Sequence, residues 1–103
     1  MAIPSLSQEQ LQTARAAATA ARRARADLKE RVKNGKLSFS AALDEAMGDE
    51  VLAHVKVIDL LKALPRVGVK RATEVMDRLG IAANRRVRGL GRHQVATLKD
   101  EFE

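Results

Sequence analysis

The sequence predicts an all-α fold. Three observations carry that reading: an alanine-rich composition, helical spacing of the apolar residues, and prolines standing only at helix boundaries. Hydrophobic residues make up 46% of the 103, yet Phe39 and Phe102 are the only aromatics. The core must then be Leu, Val, Ile, Ala and Met, and alanine favours helix. No segment alternates with the period of a half-buried strand. Pro4 and Pro65 each suit a helix start or stop, since proline lacks a backbone N–H and disfavours helical geometry just before it. A chain of this length supports one modest core. Residues 1–103 are expected to form a single domain, with a long basic helix over 7–34 and a helical bundle over 38–103.

The first helix is announced by Ser7 and Gln10, a capping box, with Leu6 placed to staple onto Leu11. It runs to Asn34-Gly35, a left-handed stop. Ala14, Ala17, Ala21, Ala24, Leu28 and Val32 share its apolar face, and Arg15, Arg22, Arg25, Lys29 and Lys33 form an adjacent stripe. The N-terminal half of that face offers only methyl groups and is expected to project from the core. A short helix follows, capped by Ser38 or Ser40, with Phe39, Leu43 and Met47 inward, and Gly48-Asp49 breaks it. Val51-Leu52 makes a further turn; Val57, Ile58, Leu61 and Leu64 line a helix that Pro65 ends. Gly68 is read as a tight turn, followed by a helix from about Val69 that buries Ala72, Val75, Met76 and Leu79. Gly80 closes that helix as a Schellman cap, with Ile81 packing back on Met76. The last helix runs from about Gly91 to Phe102, with Val95, Leu98 and Phe102 inward and Leu90 buried as a pin between turns at Gly89 and Gly91.

Charge is unevenly distributed within a net +6. Residues 1–34 and 64–103 are basic and residues 35–63 slightly acidic, an arrangement suited to a polyanion partner. Lys70 and Arg71 sit in the first turn of a helix, where the dipole disfavours cations and the free N–H groups favour an anion. Arg66 precedes them, and Arg85, Arg86, Arg88 and Arg92 surround the Gly89-Leu90-Gly91 turns. Arginine forks and helix-start amides are both good phosphate ligands. The competing reading of these arginines is a solvated loop paired with Glu74, Asp77 or Asp100.

Without cysteine, disulfides and thiolate metal sites are excluded, and His54 and His93 stand alone without metal-ligand spacing. No metal, cofactor, small-molecule substrate or membrane partner is expected, and no apolar run approaches a membrane span. The start of the chain carries no secretion signal, so a cytoplasmic location is expected.

Leu60 to Gly68 (Leu-Leu-Lys-Ala-Leu-Pro-Arg-Val-Gly), then Met76, Ile81 and Arg85-Arg86-Val87-Arg88-Gly89-Leu90-Gly91, resemble a helix–two-turn–helix module. That module is shared by formamidopyrimidine-type DNA glycosylases and a small-subunit ribosomal protein family. Over essentially the whole chain, including Asp49-Glu50-Val51-Leu52, the sequence resembles the actinobacterial integration host factor family. The resemblance implies a nucleoid-associated protein that binds double-stranded DNA and affects its bending, compaction and topology. It places contacts at Gly68, Val69, Lys70 and Arg71 and at Arg85, Arg86 and Arg88. Arg66, Gly89, Gly91 and Arg92 complete the candidate site, and the stripe from Arg15 to Lys33 is a candidate second contact. The free protein is expected to be monomeric.

An enzyme is the first rival. Glycosylases with this module need a separate catalytic region beginning with a nucleophilic proline, whereas Pro4 here follows Ala2 and Ile3. The second rival is an RNA- or ribosome-binding module using the same corner. Stacking on unpaired bases needs exposed aromatics, and both phenylalanines read as structural. Cations clustered at turns and helix starts suit phosphate positioning rather than base reading, so weak sequence specificity is expected.

Overall fold

A computed structural model describes residues 7–102. Five α-helices and two 3-10 turns follow one another: α1 (Gln8–Lys33), α2 (Phe39–Met47), a turn at Leu52–His54, α3 (Val57–Ala63), α4 (Val69–Arg78), a turn at Val87–Gly89, and α5 (Arg92–Phe102). The described residues contain no strand; an isolated antiparallel bridge joins Lys56 to Arg86. The expected staple from Leu6 and the role of Pro4 lie outside the described residues.

Local signals set most helix ends. The Ser7 side chain accepts from the Gln10 N–H at 3.1 Å while Gln10 Oε1 accepts from the Ser7 N–H at 2.9 Å, the reciprocal capping box. At the other end of α1, Gly35 takes φ 73°, and Lys36 N–H returns to the Arg31 carbonyl. Gly80 does the same for α4, with φ 70° and Ile81 N–H bonding the Met76 carbonyl at 2.8 Å, a Schellman stop. Ser38, not Ser40, caps α2, through Ala41 N–H. Ser40 Oγ is buried without a hydrogen-bond partner.

The core joins Leu28 and Val32 of α1 to Phe39, Ala42, Leu43 and Ala46 of α2, Val57, Leu60 and Leu61 of α3, Ala72, Val75 and Met76 of α4, and Val95 and Leu98 of α5. The Phe39 and Phe102 rings lie 5.2 Å apart at 48°. Burying each leucine contributes roughly 2–3 kcal/mol. That suffices to anchor the C-terminal half of α1. Its N-terminal half projects as expected: Ala14 and Ala17 are exposed, and the molecule is drawn out to 53 × 31 × 24 Å.

Met47 departs from expectation. It is 47% exposed, because α2 ends there and its last turn overhangs an open concavity. Leu90 is half-buried rather than a buried pin. The tight turn expected at Gly68 lies two residues earlier. Leu64 is extended, as a residue before proline must be, and Val67 N–H bonds the Leu64 carbonyl at 3.2 Å. Proline at the second position and a positive φ at the third make this a type II turn. The third position is Arg66, at φ 73°, where glycine is the usual occupant. Gly68 is instead extended and serves as the N-cap of α4.

Candidate nucleic-acid interface

The candidate residues form two arms at opposite ends of α3, a helix of seven residues and about 10 Å. At its N-terminal end, Val57 N–H donates to the Arg85 carbonyl and Val87 N–H to the Val55 carbonyl, both at 2.9 Å. This short pairing imposes strand-like alternation. Val55, Val57 and Val87 turn into the core, while Lys56 and Arg86 turn outward as direct neighbours across the bridge. Like charges facing each other across such a pair are unfavourable unless an anion lies between them or over them.

Arg86 is held in place, its Nη1 donating to the His54 carbonyl at 2.6 Å. Arg25, Lys29, His54, Lys56, Asp59 and Arg86 line one concavity of about 390 Å³. Four cations thus converge around one carboxylate. The C-terminal part of the α1 stripe, Arg25 and Lys29, therefore belongs to the same surface as Arg86. Lys33 borders an adjoining concavity with Lys29 and Lys62, whereas Arg15 and Arg22 stand on the projecting half of α1. Lys56 was missed by sequence reasoning. Its signal was the Val55-Lys56-Val57 alternation, which becomes informative only once residue 86 is known to pair with it.

Arg85 curls onto its own turn, Nη1 to the Gly89 carbonyl at 3.1 Å. A side chain at Gly89 would meet the Arg85 Cδ at 3.0 Å, so it would displace the arginine from this position. Arg88 faces away from Arg86, into the concavity that holds Asp49 and Glu50. Gly91 N–H donates to Gln94 Oε1 at 2.9 Å just before α5, and Arg92 and His93 are exposed on its first turn.

The second arm is the Leu64–Gly68 corner. Arg66 and Arg71 line a shallow concavity with Pro65, Val67 and Phe102, and Lys70 is exposed beside them. Gly68 gives α4 no side-chain cap, so the N–H groups of the first turn are open to an anion. Val69, 59% exposed, leaves the corner uncovered.

Ion pairing separates structural cations from the candidates. Arg31 pairs with Asp27 and Glu45, Lys62 with Asp59, Arg78 with Glu101, and Lys99 with Asp44. Hydrogen bonding from Arg78 holds the Glu101 carboxyl below the usual carboxylate range, with Arg71 adding a small attraction. Hydrogen bonding to Glu45 raises Arg31 and hydrogen bonding to Glu101 raises Arg78. Among the described residues, no candidate cation makes such a pair, and Glu74, Asp77 and Asp100 do not neutralise the arginine turn. The described residues also hold no group of side chains able to bind a metal.

A family model for the S13-like H2TH domain matches residues 32–102. The integration host factor of Mycobacterium tuberculosis is 49% identical over 99% of this chain and 97% of its own length. That of Streptomyces coelicolor is 45% identical over 99% and 95%. The chain belongs to the integration host factor family. A solved structure of sIHF bound to an 8-base-pair palindromic DNA superposes with a TM-score of 0.80 at 45% identity, covering 84% of this chain and 97% of that one.

The S13-like match begins at residue 32, near the end of α1, whereas the integration host factor relatives align through almost the whole chain. In this chain, then, a long helix precedes the matched helix–two-turn–helix core. Here that helix delivers Arg25 and Lys29 to the concavity of Arg86. These relatives are named as integration host factors, not as enzymes.

Proposed function

We propose that this protein is a nucleoid-associated protein that binds duplex DNA through its phosphate backbone, with little sequence specificity, and alters DNA bending, compaction and topology. The observation that carries the reading is the DNA-bound sIHF relative, aligned over 97% of its chain. The outward-facing Lys56–Arg86 pair, which makes no ion pair among the described residues and shares its concavity with two further cations and the single carboxylate of Asp59, supports it independently. Arg25, Lys29, Lys56 and Arg86 take phosphates at one end of α3. Gly68 to Arg71, with Arg66, takes a phosphate at the other. Arg85 braces the turn, and Arg88 and Arg92 flank it. The full-length relatives and the DNA in the solved one favour duplex DNA over an RNA or ribosomal partner. A nucleoid location in the cytoplasm, with the free protein monomeric, goes with this reading.

If four to six phosphates are neutralised, log K should fall against log salt with a slope of roughly −4 to −5, on unrelated duplexes alike. Replacing Arg85, Arg86 and Arg88 together with alanine should nearly abolish binding while circular dichroism stays unchanged. A flat salt response, strict dependence on one sequence, or normal binding by the folded triple variant would overturn the proposal.

A further inference from the structure

We propose that copies of this chain meet head to tail on DNA, the projecting half of α1 from one copy docking beside α2 of the next. The inference rests on the DNA-binding reading above. The docking surface is an open concavity of about 460 Å³ that Met47, Asp49, Glu50, Ala53 and Arg88 help to line. Met47, 47% exposed, is the large apolar side chain of that lining. Asp49 spends its carboxylate on the Val51 and Leu52 N–H groups, at 2.8 and 3.1 Å. Glu50 makes no ion pair among the described residues and is exposed.

The occupant has complementary chemistry. Ala14 and Ala17 present exposed methyl groups on one face of α1, and Arg15 and Arg22 run along its edge. Side chains this small let a helix approach Met47 closely, with the arginines placed to meet Glu50. The helix cannot fold back onto its own concavity: α1 is continuous from Gln8 to Lys33 and fixed at its far end by Leu28 and Val32. The partner is therefore another molecule. Two different patches meeting in this way let the contact pass from copy to copy along the duplex.

Two free chains of charge +6 repel each other, and DNA phosphates remove that repulsion. DNA also holds neighbours at high effective concentration, so a weak contact suffices. His54 borders both this concavity and that of Arg86, which places the neighbouring copy beside the same duplex.

The absence of cysteine makes disulfide trapping clean. Full-length chains carrying Ala17→Cys and Glu50→Cys are mixed and oxidised on a long duplex, on a duplex long enough for one copy, and without DNA. Cross-linking on the long duplex should exceed the other two about tenfold, as tethering raises local concentration. Ala17→Cys paired with Ala83→Cys, an exposed position elsewhere, sets the background. Separately, Glu50→Lys should reduce binding cooperativity on the long duplex roughly three- to tenfold while affinity for the short duplex holds, and adding Arg22→Glu should restore it. Short-duplex affinity reports the DNA-binding reading by itself. With that affinity intact, cross-linking at the Ala83 background, or cooperativity unmoved by Glu50→Lys, overturns the proposal.

Discussion

The two halves of α1 are alike in alanine and arginine and unlike in surroundings. Before residue 21, side chains are exposed apart from half-buried Leu11 and Thr19; beyond residue 23, Leu28 and Val32 are buried and Ala24, Arg25 and Lys29 half-buried. Two large apolar residues make the difference. Where they dock, neighbouring cations are carried into a fixed relation with Lys56 and Arg86; in the other half no side chain reaches the core, and the cations stay exposed. A basic stripe thus acquires a defined position from the apolar residues beside it rather than from its own charge.

Removing an anchor should separate the two halves of α1 most strongly. Leu28→Ala leaves a cavity in a fully buried site and should cost about 2–5 kcal/mol. Leu11→Ala, on the projecting half, should change stability by less than about 0.5 kcal/mol, as surface substitutions do. Urea titrations of both variants measure this. Similar losses would mean that the N-terminal half is packed as well.

A second test separates the cations. Arg25→Ala with Lys29→Ala should flatten the salt slope on a short duplex by about 2, one for each phosphate no longer neutralised, while Arg15→Ala with Arg22→Ala should leave it unchanged. Lys56→Ala alone should flatten it by about 1. Equal effects from the two arginine-containing pairs would return the whole stripe to one surface.

Legibility in the sequence followed distance along the chain. The Ser7–Gln10 box and the Gly35 and Gly80 stops are local devices, each specified within about six residues, and all three form as read. The corner was located but its special residue was not. Glycine at 68 drew the tight turn to itself, whereas Pro65 sets the turn ahead of it and puts the left-handed strain on Arg66, about 1–3 kcal/mol for a residue with a side chain. Nothing local announces Lys56 as a site residue, because its place depends on pairing with residue 86, thirty positions away. Val87, flanked by arginines and fully part of the core, was hidden for the same reason. Met47 follows helical spacing inward, yet the helix ends before the core can cover it.

The smallest expected effect concerns the paired cations outside the candidate interface. Glu101 binds Arg78 across α4 and α5, and that hydrogen bonding depresses its pKa in the folded state. A depressed carboxylate contributes stability above its unfolded pKa, about 4.3 for glutamate, and the contribution is lost as pH falls through the lower folded value. At neutral pH the native protein should therefore melt slightly above Glu101→Gln, and the two should converge as the solution is acidified below the usual glutamate range. Because both groups are solvent-accessible, added salt should shrink the neutral-pH gap as well. DNA affinity of Glu101→Gln should stay at the native value or rise slightly, since Arg71 at the corner loses a nearby negative charge. A melting gap that persists in acid would show that Glu101 supports the fold by packing rather than by its charge. A large fall in DNA affinity would show that the α4–α5 brace belongs to the binding surface, erasing the distinction between structural and phosphate-binding cations.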